Sequence, residues 1–138
     1  MLSGHDRGSV SLWAALSAFC MIVIVGIAVD FGGQAVAEQR ARTVAAQAAR
    51  AAGQELQLDA VARAGTAQTD TGRAVSAATS YLSQAGQTGT ASVSGTTITV
   101  TVTGSYRCVF LSIIGIATLP VSGTSTAEVV RVYEGSRR

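Results

Sequence analysis

The sequence predicts an α+β protein: a long N-terminal helix, a second short helix, and a small antiparallel sheet of about four strands. Three observations carry that expectation. Residues 8–29 form an apolar run without a charge. Alanines then recur at helical spacing as far as Leu56. From Ala91 onward the hydrophobic period shortens to two, the period of a strand with one buried face.

The apolar run is long enough to cross a membrane. At about 1.5 Å per residue it spans roughly 33 Å, against a hydrocarbon core of about 30 Å. Arg7 precedes it, Asp30 follows it, and Trp13 lies near its first end. Small residues at Ala14, Ala15, Ser17, Ala18 and Gly26 offer a surface for self-association through this helix. A signal peptide cut after Ala37 is the alternative, because Ala35-Val36-Ala37 is a small-residue site. The apolar stretch exceeds the usual h-region of about 7–15 residues, and the helical pattern continues through the cut. The charges flanking the run barely decide its orientation. Size does: residues 1–7 are a cytoplasmic head and the larger remainder is exported. The expected location is the cytoplasmic membrane, crossed once.

Residues 30–57 extend the span as an extracytoplasmic helix. Nine alanines fall between Ala35 and Ala52. Ala37, Ala41, Ala45, Ala48, Ala52 and Leu56 share one face, and Gln39, Thr43, Gln47, Arg50 and Gln54 the other. Alanine is the strongest intrinsic helix former, while Gly32 and Gly33 together cost about 2 kcal/mol of propensity. The pair therefore reads as a hinge at the lipid boundary.

Residues 58–138 form a small α+β domain. Residues 57–69 read as a loop or weak continuation of the helix. The second helix is capped by Asp70 or Thr71, packs through Val75, Ala78, Tyr81, Leu82 and Ala85, and closes at Gly86. Ala91 and Val93 alternate with serines, and Ile98, Val100 and Val102 with threonines, around a turn at Ser94-Gly95-Thr96. Tyr106, Cys108 and Phe110 suggest a third strand. Residues 111–119 read as an apolar turn covering the sheet and ended by Pro120. Residues 121–133 read as a fourth strand.

Composition limits function. The 138 residues are 48% hydrophobic and 13% charged, with a mean hydropathy of +0.37, which excludes a disordered charged tail. Arginine carries the whole positive charge and is scattered from Arg7 to Arg138, so no nucleic-acid partner is expected. Cys20 and Cys108 read as small buried hydrophobes and not as a disulfide. The lone histidine, His5, precedes the apolar run, so no catalytic triad or histidine metal site is expected. Gly86-Gln87-Thr88-Gly89 lacks the lysine of a phosphate cradle. No enzyme activity, cofactor or metal is expected.

The order of these features is similar to a known family. Arg7-Gly8-Ser9, the segment Gly26-Ile27-Ala28-Val29-Asp30-Phe31-Gly32, then Arg40, Arg42 and the alanines of residues 45–52 resemble TadE/TadG-like proteins. These are pilin-like components of bacterial tight-adherence (Tad, or Flp) pilus systems. The threonine-rich strands, Tyr106, residues 110–115 and residues 121–130 resemble the C-terminal half of such proteins. The resemblance implies a pilin-like fold. It also implies a membrane-anchored accessory component of a pilus or secretion apparatus, with the bilayer and other apparatus proteins as partners. It suggests processing by a prepilin peptidase after Gly8, making Ser9 the first residue. Trp13 then occupies the position where the family's pseudopilins carry a glutamate, which favours an uncleaved protein. A secreted binding domain and an unrelated single-pass envelope protein are the competing readings.

Overall fold

The computed structural model describes residues 6–62 and 71–128. Helix α1 (Asp6–Ala62) is unbroken over 57 residues and passes through Gly32 and Gly33 without interruption. Helix α2 (Thr71–Gln84) follows, then β1 (Thr88–Ser94), β2 (Thr97–Arg107), a 3-10 turn at Leu111–Ile114, and β3 (Thr118–Glu128). The strands form one antiparallel sheet in the order β1-β2-β3. Among the described residues there are two compact units. One holds residues 6–36 and 106–119; the other holds residues 37–62, 71–105 and 120–128.

In the second unit the alanine face of α1 is the floor of the core. Ala41, Ala45, Ala48, Ala52 and Leu56 are buried, with Ala49 beside them, and all five polar residues assigned to the opposite face are exposed. Alanine adds little apolar area but allows close approach. Gly123 of β3 passes directly against the α1 backbone at Ala41 and Arg42. Ile98, Val100 and Val102 of β2 and Ala74, Ala78 and Leu82 of α2 complete the core. Between the helices, the Tyr81 hydroxyl donates to Gln47 Oε1, and Arg73 lies 3.8 Å from Glu55.

Turn chemistry sets the register. Gly95 at φ +62° and Thr96 join Ser94 to its partner Thr97, and Val93 pairs with Ile98. Positive φ at the first of two loop residues suits a hairpin turn matched to the right-handed twist of its strands. At the end of α2, Gly86 (φ +66°) donates to the Ser83 carbonyl and Gln87 to the Leu82 carbonyl. These two bonds make a Schellman closure at the glycine assigned from sequence.

Several expectations need correction. The described residues form three strands, not four. Tyr106 belongs to the end of β2, because the strand runs on to Arg107 without a turn after its buried alternation ends at Val102. Pro120 does not end an element but lies inside β3. That strand is at the sheet edge, where a residue without an N–H is tolerated. Ala85 is exposed just past α2, and Ala74 takes the buried position instead. Cys20 is exposed on α1, whereas Cys108 is buried. In the turn, Leu111 is buried while Ile113, Ile114 and Ile116 are exposed. Asp70 and residues 129–133 lie outside the described residues.

Candidate functional site

The first unit is organised around one face of α1. Gly26, Asp30 and Gly33 are spaced i, i+4 and i+7, which places them in one row along a helix. Segment 106–111 lies on that row. The Asp30 carboxylate accepts three backbone N–H bonds: Val109 to Oδ1 at 2.8 Å, and Phe110 and Leu111 to Oδ2 at 2.9 and 2.6 Å. These amides open the 3-10 turn, where donors have no partner within the turn itself. No side chain of the turn's own N-cap, Phe110, serves them. Asp30 therefore acts as a cap supplied from about 80 positions away.

The glycines on either side make the approach possible. A Cβ on Gly26 would meet the Phe110 ring at 2.8 Å, and one on Gly33 would overlap the Tyr106 phenol. The two aromatic side chains thus fill the places where larger residues would hold the segment off the helix. Asp30 is fully buried between them.

Electrostatics follow from this geometry. Burial pushes the Asp30 carboxyl up, while the N–H bonds from Leu111, Val109 and Phe110 pull it down. The donors together prevail and hold it below the ordinary carboxylate value. Burial, and then the charge on Asp30, push the Cys108 thiol up, so it stays protonated and unreactive at neutral pH. Its three backbone donors make Asp30 a structural acceptor that ties segment 109–111 to α1. Among the described residues no group of His, Cys, Asp and Glu could hold a metal ion.

The residues singled out from sequence are dispersed along α1. Gly8 and Ser9 are exposed near its start, with nothing within 4 Å of a Cβ on Gly8. Gly32 has open space around it, while its neighbour Gly33 carries Tyr106. Ala14, Ala15 and Ala18 are exposed and Ser17 half-buried, but Gly26 is already covered by Phe110. Sequence reasoning missed Asp30 as an organising residue, reading it only as the charge ending the apolar run. A signal was present: Gly26, Asp30 and Gly33 extend the row of Ala37 and Ala41 toward the N-terminus.

The other faces of α1 are bare. From Gly8 to Val29 only Gly26 is buried, while Leu12, Trp13, Leu16, Phe19, Ile22 and Ile24 are all exposed. Among the described residues α1 is the helix long and apolar enough to cross a membrane. The N-terminal half of α1 thus presents a long exposed apolar surface. Residues 8–55 match the family model described as putative Flp pilus-assembly TadE/G-like. Neither a curated protein nor a solved structure matches the chain.

Proposed function

We propose, from the TadE/G-like Flp pilus-assembly segment at residues 8–55, that this chain is a membrane-anchored, pilin-like accessory component of a Tad/Flp-type apparatus. It acts by protein–protein contact. Residues 8–29 cross the cytoplasmic membrane, the head stays in the cytoplasm, and the domain after Asp30 is extracytoplasmic. The observation that carries this reading is the bare apolar half of α1 inside the very segment that matches the family. An apolar surface this long is unfavourable in water and favourable in lipid. The match to a pilus-assembly family, which is structural and not known for catalysis, supports a pilus-associated role.

The chain remains uncut in this reading. Trp13 stands where a pseudopilin glutamate is expected, and α1 runs through Ala37 as it does through Gly8. Its partners are the bilayer and other apparatus proteins. A second copy could meet the exposed small residues Ala14, Ala15 and Ala18. Gly32, unencumbered on α1, is the compliant half of the Gly32-Gly33 hinge.

Two experiments test the reading. Val25→Arg places a charge in the span, at about 2.5–3.5 kcal/mol on insertion scales. It should release the protein from membranes at alkaline carbonate and abolish pilus assembly in a deletion strain that wild type restores. Retained membrane association and normal assembly would contradict the anchor. N-terminal sequencing should find neither Ser9 nor Glu38 as the first residue; either one would establish the corresponding cleavage.

A further inference from the structure

We propose that the apolar turn at residues 109–116 is immersed in the outer boundary of the bilayer beside α1, as a second lipid contact. The proposal rests on the reading that residues 8–29 span the membrane. Two fixed points set the level of the turn. Phe110 packs on Gly26, and the amides of Val109, Phe110 and Leu111 bond Asp30. Gly26 and Asp30 are one helical turn apart, about 6 Å along the axis. With the hydrocarbon boundary near Val29, the Phe110 ring is level with the last apolar turn of the span.

The side chains at this level suit lipid. No charged residue occurs between Arg107 and Glu128. Ile113 and Ile114 are 81% and 72% exposed, with Val109 and Ile116 exposed beside them. On α1, Ile22, Val25, Ile27 and Val29 are exposed as well. Solvent that accommodates the helix there also reaches the turn, and in the membrane reading that solvent is acyl chain.

The backbone supports the same placement. A non-helical segment enters an apolar phase only if its N–H groups have partners. Here Cys108 N–H donates to Ala117 O at 2.9 Å, Ile113 to Phe110 at 3.1 Å, Gly115 to Ser112 at 3.2 Å and Ile116 to Leu111 at 3.0 Å. The Ser112 hydroxyl donates to Val109 O at 2.7 Å. Asp30 takes the amides of Val109, Phe110 and Leu111 at the start. The turn presents isoleucines outward while these amides bond within the fold.

Tryptophan quenching in vesicles of brominated phosphatidylcholine tests the proposal on the full chain. The wild type has one tryptophan, Trp13, which reports on the span. The reporter for the turn is Trp13→Phe with Ile113→Trp, a site exposed enough to accept the ring. With bromines near the carbonyl end of the acyl chain, the turn reporter should lose most of its fluorescence and resist aqueous iodide. Quenching of Trp13 by lipid, but of the turn reporter by iodide alone, would overturn the proposal and leave the span standing. A turn reporter shielded from both quenchers would assign this surface to a protein partner and also overturn it. Failure of any brominated lipid to quench Trp13 would instead remove the span, and the proposal with it.

Discussion

The same row of α1 is buried twice, by different means. Between Ala41 and Leu56 it is alanine against valine, isoleucine and leucine, and removal of apolar surface from water holds the contact. Between Gly26 and Gly33 it is two glycines and a carboxylate, and the contact is three backbone N–H bonds with two close-packed rings. In the proposed membrane reading, the difference follows from the solvent. In water, apolar contact stabilises by itself. At the level of the membrane, lipid is as apolar as a leucine side chain, so association relies on close packing and hydrogen bonds. On that reading, the shift from alanine to Gly-Asp-Gly along one row is the sequence record of the change in surroundings.

The largest way to break the comparison is in the core of the second unit. Leu82→Ala removes a fully buried side chain and should cost about 2–5 kcal/mol, read by chemical denaturation in detergent. Ala48→Leu attacks the close approach instead. Its site is fully buried, and overpacking should cost about 1–3 kcal/mol. A neutral result for both would mean that the alanine row is not the floor of the core. Asp30→Asn keeps the shape but sets an NH2 group against backbone donors. It should speed hydrogen exchange at Val109, Phe110 and Leu111 while the amides of β2 keep their protection. Unchanged exchange at all three positions would show that the carboxylate is dispensable.

How legible each region was from sequence follows from the same contrast. The alanine row declares itself because helical period and residue type agree at Ala37, Ala41, Ala45, Ala48, Ala52 and Leu56. The hairpin was visible through alternation and Gly95. The Asp30 cap was not, because its partners are backbone amides about 80 positions away, and an amide leaves no mark in residue identity. The extra strand around Tyr106 was an over-reading of alternation. The chain leaves β2 after Arg107: Cys108 N–H donates to Ala117 O, and the amides of Val109, Phe110 and Leu111 turn to Asp30. Pro120 misled for a related reason: a proline break is a statement about central strands, and β3 is at the edge.

Two smaller effects sharpen the contrast. The Asp30 carboxyl is held below its ordinary value, so its contribution is fully present above the unfolded carboxylate value, about 3.9, and is lost as pH falls through the folded one. Protection of the Val109, Phe110 and Leu111 amides should therefore persist through mildly acidic pH and collapse only below the unfolded value. Collapse near neutrality would contradict that direction. The adjacent glycines should then separate. Gly32→Ala, in open space on a continuous helix, should stabilise by up to about 1 kcal/mol. Gly33→Ala should displace Tyr106 and gain less or lose stability, and its deficit should vanish in a Tyr106→Ala background. Equal effects at the two positions would remove Tyr106 from the account.

The central claim is that α1 changes solvent near Asp30, with lipid before it and the extracytoplasmic space after. A single cysteine at Ser94, exposed at the end of β1, tests it in cells when Cys20 and Cys108 are replaced by alanine. A membrane-impermeant thiol reagent added to intact cells should label Ser94→Cys to the same extent as after lysis. Labelling only after lysis would place the domain in the cytoplasm and contradict the account.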